Sequence, residues 1–149
     1  MKLPYCEGSV FLVPLRTGGY GRGVVARMAP KGRVLLGYFF APRLISIDAA
    51  TLEGLDPEQA VLRVRFGDLG LMNGQWQLYG SVPNWNRSLW PMPEFARRAH
   101  GTRTRVVRYS DDNPNQVAAE QPIDYDPGLP TDSLSGYGAV EIKLDRLLP

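Results

Sequence analysis

The stretch SVFLVPLRTGGYGRGVVARMAPKGRVLLGYFF, residues 9–40, contains short apolar runs separated by glycine- and proline-containing turns. The runs cover residues 9–15, 24–28 and 33–40 and are rich in valine, leucine and phenylalanine. Runs of this length and composition, bounded by glycine or proline, favour strands over helices. Because the connections are short, we predict two consecutive hairpins that form a meander of three antiparallel strands.

Further strands are predicted on the C-terminal side of this meander. Residues 61–66 alternate at a period of two, which predicts that Arg63 and Arg65 face water. The apolar members of the same strand should face the core: Leu62, Val64 and Phe66. Residues 75–80 alternate again, and residues 103–109 are predicted to form a strand whose partner is residues 116–123.

Helical signals occur in two places. Asp56 can cap a short helix that begins at Pro57, where proline loses no hydrogen bond. Near the C-terminus, leucines and Val140 recur at helical spacing, which predicts a helix over about residues 135–148. The predicted fold is therefore α+β and mainly β, with a strongly curved antiparallel sheet, a short helix and a C-terminal helix. Residues 1–149 suit a single domain.

Composition excludes several classes of protein. The net charge of +2 is too small to indicate nucleic acid or a membrane surface as partner. The single cysteine, Cys6, excludes an internal disulfide, and the single histidine, His100, excludes a histidine-rich metal site within one chain. Residues 1–7 lack the apolar region of a signal peptide, and no apolar run is long enough to span a membrane. We expect a cytoplasmic protein with no cofactor and no metal.

Two strings look like known ligand motifs but lack the required context. Residues 21–26 match a dinucleotide-binding fingerprint, yet β-branched residues and Pro30 follow where a helix is needed. Asp111 begins a spacing typical of a calcium loop, but Gln116 and Pro122 stand where glycine and a bidentate glutamate are required. A hairpin and an ordinary turn explain these strings better.

Basic and aromatic side chains are the remaining candidates for function. The basic concentration consists of Arg97, Arg98, Arg103, Arg105 and Arg108. It indicates either an acidic partner or phosphate backbone, or simply the solvated face of one strand. Trp85 and Trp90 lie in a proline-rich stretch, where they either pack inside or anchor an interface. A small hydrolase using His100 is the weakest alternative, because no nucleophile motif accompanies it.

The order of motifs resembles the immunity protein 26 family of bacterial polymorphic-toxin systems. The resemblance lies in residues 8–15 and 19–24, in Asp68-Leu69-Gly70-Leu71, Trp76 and Gly80, in Trp90-Pro91 with Pro93 and Phe95, and in residues 136–141. It implies a non-enzymatic cytoplasmic protein that binds a cognate toxin. The resemblance carries no catalytic motif to this chain.

A protein that acts by binding would depend on a few aromatic and arginine anchors inside a polar rim. The predicted partner-binding residues are Tyr20, Arg22, Trp85, Arg87 and Trp90, with Arg97, Arg98 and Arg105 as electrostatic guides. The alternative is a nucleic-acid-binding module with a small curved β-sheet.

Overall fold

The computed structural model describes residues 2–99 and 101–149. The predicted meander is confirmed: β1 (Ser9–Pro14), β2 (Tyr20–Met28) and β3 (Val34–Leu44) pair in antiparallel order. The register between β2 and β3 shifts at two points. Such irregularities increase the local twist and bend a sheet, as the predicted curvature requires.

Two strands extend the meander on its outer sides. β4 (Leu62–Gly67) pairs with β3, and β5 (Gln77–Ser81) pairs with β1. The short helix α1 (Leu69–Met72) lies between them along the chain. Before β4, the Asp56 side chain accepts a hydrogen bond of 3.0 Å from the amide of Glu58, which confirms its predicted role as a cap.

A separate three-stranded sheet, called the second sheet below, follows. It consists of β6 (Phe95–Arg97), β7 (Thr104–Ser110) and β8 (Asn113–Ile123), all antiparallel. The predicted pairing of residues 103–109 with residues 116–123 is thus confirmed. The division of the strands into two sheets is an additional finding, which no local pattern indicates.

Residues 130–135, called the connecting segment below, join the second sheet to the first. Thr131 forms an isolated bridge with Ala96 of β6. Three residues later, β9 (Leu134–Ser135) pairs in parallel with β4 and completes the six-stranded order β5-β1-β2-β3-β4-β9. The predicted C-terminal helix follows as α2 (Tyr137–Leu147), which begins later than expected because Ser135 belongs to β9.

The six-stranded sheet is covered on both faces. On one face α2 packs on a helix-side core in which the rings of Phe11 and Trp76 stack with their centroids 5.4 Å apart. On the other face the second sheet closes a core that contains Trp90 and Phe95. Strands buried on both faces are expected to be mostly apolar, as β1 is from Val10 to Pro14.

Two glycines of β2 make room for the helix-side core. A Cβ atom at Gly21 would collide with Leu144 of α2, and one at Gly23 would collide with Phe11. The sequence pattern suggested a turn at these glycines, but they lie inside β2, which therefore begins at Tyr20. Their function is close packing against a helix and a ring.

One prediction about β4 is wrong. Arg65 was expected to face water, but it is only 7% exposed, because the second sheet covers that face. Its guanidinium lies 3.8 Å from the centre of the Tyr109 ring. Arg63 is half-buried and lies over Tyr38.

The fold class is confirmed as α+β and mainly β, with curved open sheets, a short helix and a C-terminal helix. Within the two described ranges, no helix has the length and apolarity needed to cross a bilayer.

Candidate partner-binding surface

The predicted partner-binding residues lie at several separate places. The structure brings Trp85 and Trp90 together, with ring centroids 5.4 Å apart. It also brings Arg97 and Arg105 together, because both contact the same carboxylate oxygen of Glu120. The others occupy separate positions with contacts of their own: Tyr20, Arg22, Arg87 and Arg98.

Arg22 lies inside the protein although it belongs to a glycine-rich strand. It is only 5% exposed and donates hydrogen bonds to the backbone oxygens of Thr51, Glu53 and Ala41. These bonds hold the loop after β3 against β2. Tyr20, at the start of the same strand, is half-buried.

The two tryptophans have different environments. Trp90 is 2% exposed and packs edge-on against Tyr38 at 5.1 Å between centroids. Trp85 is half-buried and lies over Gly8, where a Cβ atom would come within 3.0 Å of its ring. Trp90 therefore belongs to the core, whereas Trp85 keeps part of its ring at the surface.

Arg87 is the centre of a cluster of ion pairs. Its guanidinium contacts Glu7 at 2.9 Å, Asp111 at 2.7 Å and Asp112 at 3.0 Å. Asp111 also pairs with the buried Arg27 at 2.9 Å. Partial burial acts to raise the pKa of Asp111, but the hydrogen bonds and charges of the two arginines outweigh burial and lower it. The cluster joins the loop around residue 87 to the turn between β7 and β8.

Each arginine of the basic concentration has a carboxylate partner. Arg97 contacts Asp132 at 2.8 Å and Glu120 at 3.1 Å. The remaining pairs are Arg98 with Asp126, Arg103 with Asp124, Arg105 with Glu120, and Arg108 with Glu94. Because acidic side chains neutralise these arginines, this surface offers little net positive charge to a phosphate backbone.

A buried ionic contact between the two sheets was not predicted. Asp132 of the connecting segment accepts a 2.7 Å hydrogen bond from Tyr109 and pairs with Arg65 at 3.2 Å and Arg97 at 2.8 Å. Burial acts to raise the pKa of Asp132, but the hydrogen bonds from Tyr109 and Arg97 and the charge of Arg65 outweigh it and lower the pKa. A carboxylate so satisfied holds the second sheet in place.

An open groove of about 600 Å³, called the edge groove below, lies beside β4. On one side it is lined by residues 60–64 and on the other by the connecting segment and α2. β9 covers only Arg65 and Phe66 of β4, so within the described residues the outer edge of residues 62–64 has no paired strand. The charged side chains that line the groove are Arg63 and Lys143.

A second recess, of about 520 Å³, adjoins the edge groove and shares Arg63 and Pro130 with it. Exposed apolar side chains occur along both: Leu89 is 60% exposed, Leu147 46% and Val61 39%. The sequence shows that each of these residues is apolar. It does not show that the fold places them along the edge groove and the adjoining recess.

The part of the chain that the structure describes bears on metal binding but not on the hydrolase alternative. No group of three or more His, Cys, Asp or Glu residues there has the arrangement needed to hold a metal ion. His100, on which the hydrolase alternative depended, lies outside the described residues.

The sequence was compared with models of known protein families, and one of these models matches most of the chain. The model of a family described as immunity protein 26 matches residues 6–105, which cover β1 to β6 and the first residues of β7. Searches of curated proteins and of solved structures found no match. The match includes the motifs in residues 8–24 and 68–95 on which the resemblance rested, while residues 136–141 lie beyond it. The chain belongs to the immunity protein 26 family.

Proposed function

We propose that this protein binds a cognate toxin protein and neutralises it by stoichiometric binding, without a chemical step. Its membership of an immunity-protein family supports an immunity role and a non-enzymatic one, and the proposal rests on that observation. The toxin would be one that the producing cell or a sibling bacterial cell must survive. The binding would take place in the cytoplasm, with the chain acting as one unit.

We place the direct contacts on the accessible members of the predicted set: Tyr20, Trp85, Arg87, Arg97, Arg98 and Arg105. Aromatic rings and arginines are the usual anchors of protein interfaces. Each of these arginines already pairs with a carboxylate of this chain, and a carboxylate of the toxin would replace or share that partner. Arg22 and Trp90 are buried, so their part would be to hold the neighbouring loops in position.

Binding to single-stranded nucleic acid is the less favoured function, because the arginines of the second sheet are neutralised by carboxylates. It would require an affinity that falls steeply with salt. A gel shift at low salt measures this directly, and we expect no shift.

The test is a pulldown with the C-terminal domain of the toxin encoded beside this gene, together with growth of cells that express the toxin. We expect wild-type protein to bind the domain and restore growth. Trp85→Ala should weaken binding about tenfold or more, because it removes a ring that keeps part of its surface exposed. Leu69→Ala, which removes an apolar side chain that is 57% exposed on α1 and lies outside the proposed contacts, is the matched control.

Trp90→Ala is unsuitable as a binding probe, because loss of a buried indole lowers stability and confounds the result. Thermal melting of Trp85→Ala must therefore stay close to wild type. Unchanged binding by this variant would remove Trp85 from the interface. Absence of any complex with wild-type protein would overturn the proposed function.

A further inference from the structure

We propose that the edge groove receives an extended segment of the toxin, which adds to β4 as a strand and presents carboxylate side chains to Arg63 and Lys143. This inference rests on the proposed function and specifies where and how the toxin is held. The edge groove shares no residue with the partner-binding set predicted from the sequence.

The first argument is the incomplete pairing of β4. The strand has six residues, but β9 pairs with only Arg65 and Phe66. The chain before β9 turns away, because Thr131 bridges to β6 of the second sheet instead. The outer edge of residues 62–64 thus faces the groove with backbone groups available for a further strand. An extended peptide that adds to such an edge gains main-chain hydrogen bonds and directs alternate side chains into neighbouring pockets.

The second argument is charge. Ten arginines of this chain contact a carboxylate: Arg16, Arg27, Arg43, Arg65, Arg87, Arg97, Arg98, Arg103, Arg105 and Arg108. Among the residues that the structure describes, Arg63 and Lys143 are two of the seven cations that have no ion pair, and they are the two that line the groove. A groove whose lining charges are both positive attracts an acidic segment.

The two cations hold only neutral partners and are therefore available. Lys143 donates to the hydroxyl oxygens of Ser135 at 2.7 Å and Ser133 at 3.3 Å. Arg63 donates to the backbone oxygen of Pro57 at 3.2 Å, and its buried Nε has no hydrogen-bond partner. The Nε atoms of Arg22 and Arg65 are buried without a partner among the described residues in the same way, so a carboxylate in the groove would pair with the terminal nitrogens of the Arg63 guanidinium. Glu58 lines the adjoining recess but not the edge groove.

The positions of the cations specify the pattern of the segment. Arg63 lies over Tyr38, on the face covered by the second sheet, whereas Lys143 belongs to α2 on the opposite face. Successive side chains of a strand point to opposite faces. Two adjacent acidic residues would therefore place one carboxylate beside each cation. The exposed Val61 and Leu147 would contact apolar residues on either side of them.

Amide hydrogen exchange tests strand addition directly. The probe is the purified C-terminal domain of the toxin encoded beside this gene, added to the full chain. We expect exchange in the peptide covering residues 60–64 to slow about tenfold or more on binding. The internal control is β5, the edge strand at the opposite side of the six-stranded sheet, which should keep its free exchange rate. Protection of β5 or β8 in place of residues 60–64 would overturn the inference.

Charge reversal tests the role of the cations. Lys143→Glu should weaken binding about tenfold and reduce its dependence on salt. Lys31→Glu, in the turn between β2 and β3, makes the same change in net charge away from the groove and should alter binding less than about twofold. If the charge reversal lowers stability, a second pair of variants makes the same test with exposed leucines of helices. Leu147→Asn, in the groove, should weaken binding more than Leu69→Asn, which lies outside it.

The outcomes separate this inference from the proposed function. If the toxin domain binds but residues 60–64 stay unprotected and Lys143→Glu binds as wild type, the edge groove is not the site and the immunity role stands. If the wild-type chain does not bind the domain, both the proposed function and the proposed site in the edge groove are wrong.

Discussion

On one face of the six-stranded sheet, α2 covers a cluster of aromatic rings, while on the other face the second sheet rests on apolar side chains and also on a buried carboxylate. The helix-side core includes the stacked rings of Phe11 and Trp76. The opposite interface includes Asp132 with Arg65 and Tyr109. The helix side also contains a carboxylate, Glu141, which accepts a hydrogen bond from Trp76 and pairs with Arg16. The two faces therefore differ in how many charged groups their carboxylate joins, since Asp132 pairs with two arginines.

This difference predicts that the stability of the two faces responds differently to pH. Apolar burial is non-directional and little affected by pH. A buried ionic contact requires each group in its charged state, with its hydrogen bonds complete. The second sheet should therefore be sensitive to acid and to the loss of Asp132, which joins two arginines. Asp145 of α2, whose pKa is lowered by hydrogen bonds from Thr17 and Arg43, gives the helix side a sensitivity of the same sign.

The largest effect is expected on the helix side. Trp76→Ala removes a ring that is 1% exposed and stacks on Phe11, so we expect a loss of about 4 kcal/mol in the free energy of unfolding. Urea denaturation measures this loss. Trp76→Phe keeps a ring but removes the 3.0 Å hydrogen bond to Glu141, and should cost about 1–2 kcal/mol. Equal losses in the two variants would mean that the hydrogen bond, not the ring, supports this face.

A somewhat smaller effect is expected at the opposite interface. Asp132→Ala leaves Arg65 buried without its counter-charge and should cost about 3 kcal/mol. Hydrogen exchange should rise in β6 to β8 more than in β1 to β3. The matched control is Asp124→Ala, which removes an exposed partner of Arg103 and should cost less than about 1 kcal/mol. Similar losses in the two variants would contradict the role given to Asp132.

The smallest of the expected effects appears at low pH. The folded-state pKa of Asp132 is lowered, so its contribution to stability is complete above the unfolded value of about 3.9 and is lost as pH falls through the folded value. Asp111 acts in the same direction. Unfolding by urea at pH 6 and pH 3 should show a smaller loss on acidification in Asp132→Ala than in wild type. An equal loss in both proteins would assign the acid sensitivity to other groups.

Much of the fold could be predicted from local patterns. The meander, the cap at Asp56, the hairpin of β7 and β8 and the C-terminal helix each follow from composition, periodicity or a turn signal within a few residues. Such signals act between neighbours along the chain. They were therefore reliable wherever the deciding interaction was local.

The features that escaped prediction depend on contacts between distant segments. Alternation correctly placed Phe66 in the core, but it could not show that a second sheet covers the face of Arg65. The arginines of the basic concentration looked available because their carboxylate partners lie up to 35 positions away, as Asp132 does from Arg97. The edge groove likewise forms between residues 60–64 and residues that follow the second sheet.

The connecting segment is a short covalent link between the second sheet and the six-stranded sheet. Thr131 is bridged to β6, and Leu134 and Ser135 are paired with β4, so only two residues of chain separate the two attachments. Two residues span only a short distance even when fully extended, so a force on one sheet is passed almost directly to the other. Pulling the two sheets apart must therefore break the backbone hydrogen bonds of the Thr131 bridge with β6 or of β9 with β4, because the two residues between them cannot extend far. We expect the two sheets to resist mechanical separation as one unit.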